Sequence, residues 1–241
     1  MIQAALNGGR PRRFHPRLPC TPTELAREAF GAVGAGAACL HIHPRAADDT
    51  ESLAAPVIAQ ALEAVRAAVP GTPVGVSTGR WIAPGGAARH DCIRAWTVLP
   101  DYVSVNIIEE DSADVISLAL ARGIGVEAGV WSPADVERFS EHPDAGRCLR
   151  ILVEINEQSV SEALRVLDLT LMRIDTLGLK LPLLVHGLDK AFWPVHRAAT
   201  SAGFDTRAGL EDGALLPTGA VAPDNAALIA AARTFVQDRA A

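Results

Sequence analysis

Two histidines one residue apart, in Leu40-His41-Ile42-His43-Pro44-Arg45, carry the clearest chemical signal in this chain. Side chains on an extended strand alternate between its faces, so His41 and His43 share a face, one pleat apart. Two imidazoles so placed suit Zn²⁺ or another borderline divalent ion. Burying the pair without partners would be costly, which weighs against an ordinary core pair. A metal needs a third ligand, and Glu211 in Thr206-Arg207-Ala208-Gly209-Leu210-Glu211-Asp212-Gly213 is the candidate. Acids in a Gly-flanked turn are ordinarily solvated. On the same rim as the histidines, Glu211 would instead complete a His-His-carboxylate set, leaving a coordination position for water or a substrate oxygen.

Further polar groups end other strand-like runs. Val76-Ser77-Thr78-Gly79-Arg80 offers hydroxyls and backbone N–H groups that bind carboxylate or phosphate oxygens, or that simply cap a helix. Asn106, Glu127, Glu154 and His186 end or nearly end four more runs, as rim, supporting or barrel-interior groups. His15, His90, His142 and His196 fall in loops or helices and are expected at the surface.

For these groups to meet, the elements carrying them must converge. Eight apolar runs read as strands: 2–6, 38–43, 73–77, 102–106, 125–130, 148–155, 181–186 and 206–210. Most are rich in Val, Ile and Leu on both alternating positions, as parallel strands covered on both faces would be. Helical patterns lie between them. Thr21-Pro22-Thr23-Glu24 is an N-cap signal opening a helix through Ala37, closed by Gly34 and Gly36. Ser132-Pro-Ala-Asp135 repeats the device, residues 159–177 read as a long amphipathic helix, and Pro223-Asp-Asn-Ala starts the last one. Eight β-then-α units at ~30 residues each predict a single (β/α)₈ TIM barrel over residues 1–241, with its chemistry at the C-terminal ends of the strands. A doubly wound sheet would want a G-x-G-x-x-G after the first strand, and Leu6-Asn7-Gly8-Gly9-Arg10 does not supply it.

The chain has 241 residues, 49% hydrophobic and 21% charged, which argues against disorder. Its net charge of −6 argues against a nucleic-acid partner. Cys20, Cys39, Cys92 and Cys148 are far apart with no C-x-x-C, as expected of reduced thiols in a cytoplasmic protein. In Met1–Arg13 the apolar residues precede the basic ones, the reverse of a secretory signal. No apolar run approaches the ~18 residues of a membrane helix, so no membrane partner is expected.

Several blocks match a known family in order. Ala4-Ala5-Leu6-Asn7-Gly8-Gly9, Pro19-Cys20-Thr21-Pro22-Thr23-Glu24-Leu25-Ala26, and Ala35-Gly36-Ala37-Ala38 leading to His41-Ile42-His43 resemble the β-keto acid cleavage enzymes. The 3-keto-5-aminohexanoate cleavage enzyme is their best-known member. Ser77-Thr78-Gly79 and Arg207-Ala-Gly-Leu-Glu211-Asp212 match further blocks. The resemblance implies a zinc-dependent TIM barrel, a homo-oligomer, that reacts a β-keto acid with acetyl-CoA to give acetoacetate and a new acyl-CoA. It implies that His41, His43 and Glu211 bind zinc and that Asp212 is the general base, oriented by Arg207. It also implies that Ser77 and its neighbours Thr78 and Gly79 hold the substrate carboxylate.

Two departures stand out. In members taking an amino-substituted substrate, an acid follows the first-strand glycines. Here Arg10 stands there, followed by Arg12 and Arg13. An arginine would repel an ammonium and favour an anionic or neutral tail. On the fourth strand, Asn106-Ile-Ile-Glu109-Glu110 replaces a Gly- and Ser/Thr-containing loop, which makes Asn106 a candidate substrate contact and bears on the acyl-CoA site. A second reading is a metal-dependent hydrolase or aldolase working without CoA, to which His186 points. A barrel that has lost its chemistry is the third, and the intact His41, His43, Glu211 and Asp212 argue against it.

Overall fold

The computed structural model describes residues 1–237. Its strands are β1 (Ile2–Ala5), β2 (Cys39–Ile42), β3 (Val74–Ser77), β4 (Tyr102–Asn106), β5 (Gly125–Val130), β6 (Arg150–Ile155), β7 (Leu183–Gly187) and β8 (Asp205–Ala208). They form a closed barrel in chain order, and β8 pairs back in parallel with β1. The outer ring is α1 (Pro22–Gly34), α2 (Ala55–Ala68), α3 (Arg89–Ala95), α4 (Ser112–Ala121), α5 (Pro133–Ser140), α6 (Val160–Thr176), α7 (Phe192–Ala202) and α8 (Asn225–Gln237). This is the expected (β/α)₈ barrel. Among the described residues no helix is long and apolar enough to cross a membrane.

The helix starts follow from local chemistry. The Thr21 hydroxyl accepts from Glu24 N–H at 3.2 Å while the Glu24 carboxylate accepts from Thr21 N–H at 3.0 Å, a complete capping box. Helix α1 stops at Gly34 rather than Ala37, because Gly36 turns left-handed at φ +109°. Ser132 caps α5 through the Asp135 N–H, and Ser159 and Leu177 flank α6. Strands β4 and β5 have the expected bounds. Strand β8 ends at Ala208, so Glu211 sits in the turn beyond it.

One expectation about the strands fails. Val, Ile and Leu do not fill both faces. Along β6, Ile151, Val153 and Ile155 join the apolar core beneath the helices, while Arg150 and Glu154 alternate with them and take part in polar pairs. Gln3 Nε2 donates to Glu127 at 2.8 Å and to the Tyr102 hydroxyl at 3.0 Å, linking β1, β4 and β5 through the barrel interior. The barrel centre is therefore strongly polar where branched apolar layers are usual.

Depth in the barrel also corrects the sequence reading. Glu127 is not at the strand end. It is the third residue of β5 and pairs with Arg150, the first residue of β6, at 2.7 Å. Burial raises the Glu127 carboxyl above its ordinary range despite Arg150 and Gln3. Arg150→Met would leave that carboxylate in the interior with Gln3 alone and is expected to cost about 3–5 kcal/mol in urea unfolding. Glu127→Leu combined with Arg150→Met should recover most of the loss. A single variant as stable as the parent would refute the pairing.

Two histidines expected at the surface are buried. The His15 ring bonds the Ala222 carbonyl at 2.8 Å and accepts from Arg17 N–H. His196 meets the Ala232 carbonyl at 3.1 Å and the Thr206 hydroxyl at 3.0 Å. With both ring nitrogens satisfied, neither needs water. His90 and His142 are half-buried.

Candidate metal centre and active site

His41 and His43 emerge together at the C-terminal end of β2, as strand alternation requires. Glu211 reaches them from the turn after β8, across β1, which lies between β8 and β2. Gly8 makes room for it: a Cβ there would lie 2.4 Å from Glu211 Cγ, and its φ of +54° suits glycine. One ligand atom from each of the three residues lies within 4.8 Å of the others. The His41 and His43 Nε2 atoms are 3.1 Å apart, His43 Nε2 is 3.5 Å from Glu211 Oε1, and His41 Nε2 is 3.8 Å from Glu211 Oε2. A tetrahedral cation with bonds of about 2.0–2.1 Å needs ligands about 3.3–3.4 Å apart. The trio therefore fits zinc in donor type and in spacing. Glu211 Oε2 is also buried with no hydrogen-bond partner among the described residues, as an oxygen reserved for a cation would be.

The electrostatics follow from burial and pairing. Burial would lower the His43 imidazole, but Glu211 and Glu51 outweigh it and raise it to about 9. Burial lowers His41 to about 3, with the positive charge of His43 and Arg207 adding to the effect against Glu211. A neutral His41 thus faces a charged His43, and a metal would take the place of the proton between them. Burial would raise Glu211, yet Arg207, His43 and His41 hold it well below the usual carboxylate range. Arg207 is raised further above its ordinary value: burial opposes this, and Asp212, Glu211 and Glu154 outweigh it.

The trio opens on a cavity of about 310 Å³. Arg207, Ser77, Asn106 and Arg10 line it with the three ligands. Thr78 and Gly79 do not. The Thr78 hydroxyl is bonded to the Ser104 carbonyl at 2.7 Å, and Gly79 lies under the Trp81 ring, where a Cβ would come within 2.5 Å. Asn106 directs its amide nitrogen to Glu109 at 3.0 Å. Arg10 Nε donates to the Glu211 carbonyl at 3.0 Å, and its Nη2 pairs with Asp189 at 2.7 Å.

Asp212 is fully buried behind Glu211 and Arg207 and is not part of the cavity lining. Its Oδ1 accepts from Arg207 Nε at 3.0 Å and Nη2 at 2.8 Å, while Oδ2 has no partner among the described residues. His186 is enclosed between Asp212 Oδ1 at 3.3 Å and Glu154 Oε2 at 3.5 Å. Burial and Arg207 pull His186 down, but Asp212 and Glu154 outweigh them and raise it. Glu154 lines the cavity, as the sequence reading allowed.

The sequence reading passed over Ser104, Trp131 and Asn156 on the cavity wall, and also Glu51 and Asp189. Glu51 bonds His43 Nδ1 at 2.5 Å, and Asp189 anchors Arg10. Glu51 lies in the loop after β2 and Asp189 opens a short 3-10 turn after β7, both in segments of ordinary polar composition. The one local signal for Asp189 is its left-handed backbone, φ +50°, which sequence does not reveal.

The profile of the beta-keto acid cleavage enzyme family matches residues 1–240. The 3-oxoadipate:acetyl-CoA acetyltransferase of Cupriavidus necator is 36% identical over 91 residues, 37% of this chain and 31% of that one. The 3-keto-5-aminohexanoate cleavage enzyme of Fusobacterium nucleatum is 36% identical over 80 residues, 33% of this chain and 29% of that one. The match thus spans about a third of the length of each curated relative. Among solved structures, the ternary complex of ObcA with a C4-CoA adduct and oxalate has a TM-score of 0.77 at 15% identity, covering 93% of this chain and 65% of that one. At that identity the likeness concerns the fold alone.

Proposed function

The chain belongs to the beta-keto acid cleavage enzyme family, and on that premise we propose that it is a zinc-dependent enzyme condensing a β-keto acid with acetyl-CoA, giving acetoacetate and a new acyl-CoA. The observation that carries this reading is the convergence of His41, His43 and Glu211 with Ser77 and Arg207 on one cavity. Zinc held by His41, His43 and Glu211 would supply Lewis acidity at the keto oxygen. Ser77, with the backbone turn through Thr78 and Gly79 beneath it, holds the substrate carboxylate. Arg207, on the cavity wall, fixes Asp212 behind it through Oδ1, and with substrate bound the unpartnered Oδ2 turns to the cavity to take the proton from the carbon between carboxylate and ketone. The electron pair left on that carbon attacks the thioester carbonyl, a carbon–carbon bond forms, and CoA thiolate departs. The thiolate then attacks the original keto carbon, the older carbon–carbon bond breaks, and the acetoacetate carbanion recovers its proton from Asp212.

The CoA-independent hydrolase or aldolase is less well supported. It would use His186 at the metal, and that ring faces Glu154 and Asp212 instead. The deciding experiment incubates zinc-loaded protein with a panel of β-keto acids, with and without acetyl-CoA, and follows acetoacetate and acyl-CoA by mass spectrometry. Cleavage without CoA would overturn the reading. Sizing the purified protein in solution tests the homo-oligomer.

Arg10 sets the expected substrate tail. Its guanidinium lines the cavity and is held at two points. A dicarboxylic keto acid is expected to exceed a cationic one in kcat/KM by about tenfold or more, equivalent to ~1.4 kcal/mol of discrimination. Arg10→Glu should reverse the order. Preference of the parent enzyme for the cationic substrate would refute the assignment.

A further inference from the structure

Glu51 lies in the loop between β2 and α2, outside the ligand trio and the acid–base pair. Its two carboxylate oxygens serve different donors. Oε1 accepts from His43 Nδ1 at 2.5 Å, and Oε2 accepts from the Trp81 indole N–H at 3.2 Å. The backbone around it is pinned on two sides. Glu51 bridges antiparallel to Arg45, just after the histidines, and Ser52 bridges parallel to Ala83, just after Trp81. Gly9 closes a third side, since a Cβ there would sit 3.1 Å from Glu51 Oε2. His41 has no comparable support, because its Nδ1 is buried without a partner among the described residues. Asn7 holds the His43 main chain at its N–H and its carbonyl, both at 2.9 Å, and among the described residues Glu51 is what bonds a ring nitrogen of the pair on the side away from the trio.

We propose that Glu51 is a positioning residue, a carboxylate shared between His43 and Trp81 that fixes the His43 ring with Nε2 toward Glu211 and so sets metal affinity. The inference rests on the zinc reading above. Its physical core is a count of acceptors. A carboxylate has two oxygens for two donors, whereas an amide has one, and its NH₂ must then oppose either His43 or the indole. Outer-shell partners of this kind ordinarily contribute 10–100-fold in metal affinity.

The test measures zinc affinity of metal-stripped protein by chelator competition, with Co²⁺ absorption as a second readout, for the parent, Glu51→Gln, Trp81→Phe and the double variant. Glu51→Gln is expected to weaken zinc about 10–100-fold and shift the Co²⁺ bands. Adding Trp81→Phe removes the competing N–H, lets the amide oxygen turn to His43, and should restore part of the affinity and the spectrum. A purely structural role would not produce that rescue. Zinc affinity of Glu51→Gln within about threefold of the parent, or a double variant no tighter than Glu51→Gln, overturns the proposal. A parent that binds no zinc overturns the metal reading itself, and this inference with it.

Discussion

His41→Ala is expected to empty the metal centre and to lower kcat/KM for the keto acid and acetyl-CoA by about a thousandfold or more, the kinetic equivalent of several kcal/mol of Lewis-acid stabilisation. The chain offers three protein ligands, two from the end of β2 and one from the turn after β8, so losing one leaves only two on a cation that wants at least three. His43 and Glu211 also lose a partner whose nitrogen lies 3.1 Å from His43 Nε2 and 3.8 Å from Glu211 Oε2. Elemental analysis of parent and variant is the check. The parent should carry roughly one zinc per chain and the variant far less. Full zinc in the variant would mean that the ion sits elsewhere and that the trio is not its site.

Asp212→Asn should separate proton transfer from metal binding. The amide keeps an oxygen for the two Arg207 donors but replaces Oδ2, the unpartnered oxygen, with a group that cannot take a proton. Turnover is expected to fall about 10²–10⁴-fold, the usual contribution of a positioned general base. Zinc content should stay at the parent level, since Glu211 and the histidines are untouched. Exchange of the substrate's acidic proton with deuterated solvent should slow in parallel. Near-parent turnover would move the base to another carboxylate, of which Glu154 already lines the cavity.

Much of the fold was legible because its determinants are local. The Thr21–Glu24 capping box is written within four residues, and the bounds of β4 and β5 coincide with their apolar runs. His41 and His43 were legible for the same reason, since strand alternation places residues two apart on one face. Depth was not. Glu127 and Glu154 both sit in apolar runs, yet register places one deep in the barrel beside Arg150 and the other on the cavity wall. The buried His15 and His196 look like surface histidines until the carbonyls of Ala222 and Ala232, far along the chain, come to meet them.

The sequence alone determined the alternation of strand and helix, the paired imidazoles on one strand face and the acid–arginine set near the last strand, because each depends on neighbours a few residues away. Tertiary structure alone decided that Glu211 reaches His41 and His43, that Asp212 is held by Arg207 behind them, and that Glu51 and Asp189 belong to the site. Closure of the barrel is the reason: pairing β8 with β1 sets Ile2 beside Thr206 and Gln3 beside Arg207, opposite ends of the chain, a separation across which no local preference can act.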